Sequence, residues 1–162
     1  MYSANGEKAP LITVYPYKEK LPEGVTKNVP GHWGIGISES GWMTQEVFYE
    51  YITNVFYKWL IKNNVKFPII VYLDGHSSHL TIPLIEFGIS HQIEFICFVP
   101  HSTHIMQPLD IAFFHSLKKA WLIQLSKWKR ENRVGKLTNI TFSLVLVKAF
   151  NGQSSKYYEK WL

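Results

Sequence analysis

Two short apolar runs, FPIIVYL at residues 67–73 and IEFICFV at residues 93–99, constrain most strongly what this chain can fold into. Both are continuous rather than alternating, rich in β-branched and aromatic residues, and only about seven residues long, the length of a strand rather than a helix. Continuous hydrophobicity of this kind marks strands covered on both faces, the habit of central strands in α/β sheets. Ile82 to Ser90, lying between them, suits a short helix, and His91 with Gln92 a turn. Each run also ends where polar chemistry begins. Asp74 closes the first, and the second finishes at Pro100, ahead of the loop HSTHIMQ and of Asp110.

The rest of the chain arranges itself around this unit. A turn at Asn5 and Gly6 precedes a strand from Leu11 to Tyr15. Pro22, Gly24, Pro30, Gly31, Gly34 and Gly36 then punctuate residues 18–36, which read as a long loop. Thr44 can cap a helix with Glu46 in its first turn, where an acid meets the positive end of the dipole. Phe48, Ile52, Val55 and Trp59 give that helix one apolar stripe, ending near Lys62 to Asn64. Pro108 fits the first position of a later helix with Asp110 in its first turn. Phe114, Leu117, Trp121, Leu125 and Trp128 carry its stripe as far as about Glu131. Leu137 to Phe150 suits a further helix, and NGQSSKYYEKWL a frayed end. No repeat or low-complexity tract interrupts the pattern.

At 162 residues and 46% hydrophobic, the chain can build one core of its own. Its longest apolar runs fall far short of the roughly 20 residues needed to cross a bilayer, and MYSANGEKAP has none of the regions of a signal peptide, so no membrane partner and an intracellular setting are expected. The single cysteine, Cys97, excludes an internal disulfide and sits in an apolar run, the setting of an inert small hydrophobe. Charge is uneven. Residues 1–110 hold seven Lys/Arg against ten Asp/Glu, and residues 111–162 hold ten against two. Clustered cations of this kind suit a polyanion such as a nucleic acid, and equally the solvated face of a helix. Trp121 and Trp128, at helical spacing, read as core rather than as platforms for stacking bases.

The chain contains only two aspartates, Asp74 and Asp110. In open α/β sheets ligands bind beyond the carboxyl ends of strands, where Asp74 lies and where the loop before Asp110 should emerge. Two carboxylates meeting there repel, and a divalent cation relieves them. The plainer alternatives are turn chemistry for the Asp-Gly pair and dipole compensation for Asp110. His76 with His79 and His101 with His104 also form two HxxH pairs, a zinc-like pattern that no HExxH and no cysteine pair accompanies. Ser77 and Ser78 have no base arranged to make either a nucleophile.

The segments LDGHSSHL and FVPHSTHIMQPLDIAFFHSLKKAW, with SANG and SESGWMTQEVFYEYI upstream, resemble the DDE superfamily endonuclease domain of pogo/Tigger-type transposases, with jerky-like and centromere-protein-B-like relatives, in the broad mariner group. The likeness covers about residues 2–125. It implies an α/β fold of ribonuclease-H-like type, a mixed sheet flanked by helices, in which three carboxylates hold two Mg²⁺ or Mn²⁺ ions for cutting and joining DNA. Asp74 matches the second acid and Asp110, in QPLD, the third, with 35 residues between them (110 − 74 − 1 = 35). The same likeness makes His76, His79, His104 and Gln107 site-proximal. The cationic stretch, Lys118, Lys119, Lys127, Lys129, Arg130 and Arg133, is the candidate nucleic-acid contact. DNA is the expected partner, homo-oligomers are possible, and the nucleus is the expected location.

The family's first acid stands in a motif resembling N-x-D-E ahead of SA-x-G, whereas Met1 here lies just ahead of SANG and no aspartate precedes Asp74. Glu7 matches nothing in that motif. The expectation is therefore an N-terminally truncated domain with its first strand missing, residues 1–135 forming a partial endonuclease domain and 136–162 a helical extension. Catalysis is expected to be impaired. The alternative is a non-catalytic DNA-binding or protein-interaction module.

Overall fold

The computed structural model describes residues 1, 3, 7–74, 79–98 and 113–152. By packing, the chain falls into two compact units: Met1, Ala9–Glu19 and His32–Gln107 form the first, and Tyr2–Lys8, Lys20–Gly31 and Pro108–Leu162 the second. Its class is mixed α/β, with small parallel ladders and helices.

In the first unit β1 (Ile12–Pro16) pairs in parallel with β2 (Gly34–Ser38), Ile12 opposite Gly34 and Pro16 opposite Ser38. The end of the expected 18–36 loop is therefore strand. Two of the glycines that read as breakers, Gly34 and Gly36, serve packing: a Cβ on Gly36 would lie 2.6 Å from Val47 Cγ1, so only a bare backbone lets the next helix come so close.

That helix, α1 (Gln45–Tyr51), starts where expected, with Val47 N–H donating to Thr44 Oγ1 at 3.3 Å. It passes through a π-helical segment, Ile52–Phe56, into α2 (Tyr57–Lys62). Below Ile52 the most buried side chains are Phe56 and Leu60, with Val55 and Trp59 partly buried against the same core. The Tyr51 hydroxyl donates to Pro10 O at 2.6 Å and ties the helix to the segment entering β1.

The two apolar runs form β3 (Ile69–Leu73) and β4 (Ile93–Cys97), parallel and in register from Ile69 opposite Ile93 to Leu73 opposite Cys97. Between them runs α3 (Ile82–Ser90), capped by the Thr81 side chain and pressed on β4 so closely that a Cβ on Gly88 would lie 2.6 Å from Ile93 O. Val71 and Leu73 of β3, Ile93, Leu84 and the buried side of the α1–α2 helix make one core. On the other face of β3, Ile70 and Tyr72 remain 52% and 58% exposed, Tyr72 stacking on Phe98 at 5.6 Å. The expectation that β3 is covered on both faces is corrected to one. A continuous apolar run shows that both faces are apolar, and it carries no information on what packs over each.

In the second unit α4 (His115–Glu131) packs on α5 (Asn139–Asn151), with Trp121 against Phe142 at 5.3 Å and Phe113 edge-on to Phe150 at 6.2 Å. Trp128 is buried, as expected of a core tryptophan. A capping box between Thr138 and Thr141 opens α5. Lys8 lies over the Phe150 ring, its Nζ 5.0 Å from the centroid, and burial lowers its pKa. Asn28 Nδ2 donates to Ile140 O at 3.2 Å, which fastens the 20–31 segment to α5. The expected turn at Asn5 and Gly6, the start of the helix at Pro108 and the last ten residues lie outside the described residues.

Candidate active site

Asp74 follows the last residue of β3, so the ladder delivers it to the carboxyl edge of the strand. Phe98 N–H donates to Leu73 O at 2.8 Å and extends the ladder to the residue just before it. The Asp74 backbone carbonyl faces the Cys97 thiol, which donates weakly at 3.8 Å. Burial pushes the Cys97 thiol pKa up, and the nearby Asp74 charge pushes it further, both disfavouring the thiolate.

The Asp74 side chain is 33% exposed, and its Oδ1 meets Nδ1 of His79, whose own side chain is 18% exposed. His79 stands just ahead of Thr81, the cap of α3, and its ring packs on Phe48 of α1 at 4.5 Å between centroids. A strand end and the entry to α3, five residues apart, thus meet a core residue of α1 that is distant in sequence. Composition and spacing gave no hint of Phe48, because a phenylalanine in an apolar helical stripe carries no mark of the ring it will touch.

Of the residues singled out from sequence, the structure brings Asp74 and His79 together. Asp110, His76, His101, His104 and Gln107 lie outside the described residues, as do Ser77 and Ser78. Asp74 suits a hard cation: its donors are oxygens, it is part-exposed, and it sits at a strand end. Among the described residues no three of His, Cys, Asp and Glu cluster closely enough to hold a metal ion. The described part of the chain therefore offers Asp74 as one oxygen donor and does not complete a ligand set. A separate cleft of about 370 Å³ between β2 and α1, lined by Ile12, Ile35, Ile37, Glu46, Glu50 and Asn54, does not include Asp74.

Lys118, Lys119, Lys127, Lys129 and Arg130 all project from α4 into solvent, and Arg133 follows its end, also exposed. Spacings of four and eleven residues recur on one helix face, so Lys118, Leu122 and Lys129 form one row, and Lys119, Ile123 and Arg130 the next. Leu122 and Ile123 in these rows are 60% and 65% exposed, which the sequence reading did not single out. Glu131 is the helix's one acid.

The family model described as DDE superfamily endonuclease matches residues 2–156. This chain belongs to the DDE superfamily endonucleases. A curated relative, MFS-type transporter clz9 of Cochliobolus lunatus, is 32% identical over 110 residues, which is 68% of this chain and 12% of that protein. The chain thus spans a small fraction of that relative's length, and the transport in the relative's name is a property of a much longer protein. Among the described residues no helix is long and apolar enough to cross a membrane. No solved structure matches.

Proposed function

We propose that this chain is a transposase-derived DDE domain of pogo/Tigger type, ribonuclease-H-like in arrangement, acting on DNA in the nucleus. Asp74, and by the resemblance Asp110, would hold Mg²⁺ or Mn²⁺. The observation that carries this reading is the Asp74 carboxylate at the end of β3, braced by His79 within the segment LDGHSSHL. When bound, such ions activate the attacking oxygen and stabilise the leaving oxygen of an in-line phosphodiester displacement. The chain's own contribution is to present a carboxylate from a strand held by the core, at an edge that a nucleic-acid backbone can reach.

Within the 162 residues, Asp74 and Asp110 are the two acids that match the resemblance, and two ions need shared carboxylates to position the nucleophile. Incubated with supercoiled DNA and Mn²⁺, the 162-residue chain is therefore expected to nick weakly or not at all. Strong nicking that disappears in Asp74→Ala overturns the impairment and keeps the acid. Nicking that Asp74→Ala leaves unchanged sinks the assignment of Asp74.

A second reading, a non-catalytic DNA-binding module, is favoured by the exposed cations of α4. Neutralising phosphates with lysine and arginine releases counterions, so affinity falls steeply with salt, by about 0.9 log per log for each phosphate contacted on duplex DNA. Replacing Lys118, Lys119, Lys129 and Arg130 together by Ala is expected to lower that slope by about 3 to 4 if each contacts a phosphate. DNA binding indifferent to salt in the unaltered chain removes this reading.

A further inference from the structure

We propose that the free edge of β2 takes a further strand, an extended peptide segment with lysine or arginine at alternate positions, whose cationic side chains enter the cleft between β2 and α1. The inference is independent of the reading of Asp74 and concerns another part of the first unit.

Among the described strands β2 pairs with β1 alone. Gly34 N–H donates to Leu11 O at 2.7 Å, on the β1 side. Successive residues of a strand turn their N–H and C=O groups to opposite edges, so Ile35 and Ile37 turn theirs away from β1. Among the described residues no backbone hydrogen bond outside the ladder reaches either of them. The segment GIGIS carries neither the lysine nor the proline that commonly keeps an edge strand from pairing. A strand added here gains main-chain hydrogen bonds, and its alternate side chains decide which sequence binds.

The cleft selects for positive charge. α1 lies over the glycines of β2 and runs opposite to it: a Cβ on Gly34 would stand 3.3 Å from Tyr51 Cδ2, and one on Gly36 2.6 Å from Val47 Cγ1. Two residues of strand, about 6.6 Å, therefore match four residues of helix, about 6 Å. Glu50 precedes Tyr51 and Glu46 precedes Val47, and both line the cleft, so two carboxylates repeat along it at nearly the spacing of alternate side chains on an added strand. The Asn54 side-chain amide donates to Glu50 Oε2 and holds that carboxylate in place. Hydrogen bonds from its own backbone N–H and from the Thr44 hydroxyl keep the Glu46 carboxyl below its ordinary pKa, which favours the anion. Ile12 and Val55 supply apolar lining, and none of the lining residues is cationic. Lysine or arginine suits both parts, its methylene stem lying on the apolar wall while its head reaches a carboxylate.

The probe is a capped peptide alternating lysine and valine, with a dansyl label, titrated with the full chain and followed by fluorescence anisotropy at low salt. Glu46→Gln combined with Glu50→Gln keeps the shape of two exposed side chains and removes their charge, and the unfolding midpoint is measured alongside. Saturable binding is expected, weakened about fivefold or more in the double variant at an unchanged midpoint, the loss of two part-exposed ion pairs. Two further peptides, methylated on the backbone nitrogens of the lysines or of the valines, test strand addition without altering the protein. An added strand turns one of these sets of N–H groups to β2 and the other to solvent, so one methylated peptide should lose about tenfold or more and the other should bind like its parent.

Equal affinity of the double variant and the unaltered chain overturns the carboxylate-lined cleft as the site. Equal affinity of all three peptides overturns strand addition. No binding of the parent peptide overturns the proposal entirely. Self-association of the unaltered chain in sedimentation, abolished in the double variant, makes a second copy the occupant and overturns the basic peptide.

Discussion

The α1–α2 helix and α4 are both amphipathic, both begin from a legible apolar stripe, and they end in opposite conditions. In the first, Phe48, Tyr51, Ile52, Phe56 and Leu60 are all buried, and the helix is the common wall of β3, α3 and the approach to β1. In α4, Trp128 alone is fully buried among the described residues of the helix, while Leu122 and Ile123 stand in solvent between rows of cations. The difference teaches that an apolar stripe establishes a helix without establishing its task. One helix is scaffold for the carboxylate edge, and the other presents a surface.

The sharpest way to break this contrast is to cut into each helix. Ile52→Ala removes a side chain with no exposed surface, and a loss of about 2–5 kcal/mol in denaturant unfolding is expected, from lost transfer energy and the cavity left behind. A loss below about 1 kcal/mol would show that the α1–α2 helix is not the scaffold described.

Next comes the close approach of α3 to β4. Gly88→Val drives a Cβ to 2.6 Å from a backbone oxygen, Ile93 O, which cannot swing aside as a side chain can. About 1–3 kcal/mol of destabilisation is expected, measured the same way. Because β4 pairs with β3, the strand that ends at Asp74, the variant should also weaken Mn²⁺ binding if the ladder positions that acid.

A pH scan sharpens the scaffold side. Burial raises the Tyr51 phenol well above its ordinary value, so the folded chain favours the neutral form, with its hydroxyl donated to Pro10 O. Stability from this group is complete below the unfolded pKa of about 10 and is lost as pH rises above it towards the folded value. Tyr51→Phe should lower stability by about 1–3 kcal/mol at neutral pH, since Pro10 O is left without its donor, and should flatten the decline above about pH 10. An unaltered decline would place the titrating group elsewhere.

The smallest expected effect is on the surface helix. Leu122→Ala should change stability by no more than about 0.5 kcal/mol, because an exposed side chain gives up little on truncation. A penalty near that of Ile52→Ala would erase the comparison by showing that Leu122 is covered in solution.

Much of this was legible in the chain as written. Thr44 and Thr81 cap the helices they precede, the two apolar runs are the strands β3 and β4, and Asp74 stands at the end of the first. Other features were not. Strand β2 hid behind Gly34 and Gly36, because a glycine selected for close packing has the same letter as one selected for a turn. The π-helical segment Ile52–Phe56 has no residue signature, and which members of the broad apolar stripe are most buried, Phe56 and Leu60, was not readable from spacing. The half-exposed Ile70 and Tyr72 show where continuous apolarity outran the packing.

The sequence by itself determined the α/β class, the placing of an acid at a strand end, and the family to which the motifs belong, since these follow from local patterning and residue spacing. Only the tertiary structure decided that His79 meets Asp74 and that Phe48 backs His79, and which apolar faces are covered. The contact with Phe48 joins residues far apart in the chain, and the covering of each face depends on the packing of the whole core, which no local pattern encodes.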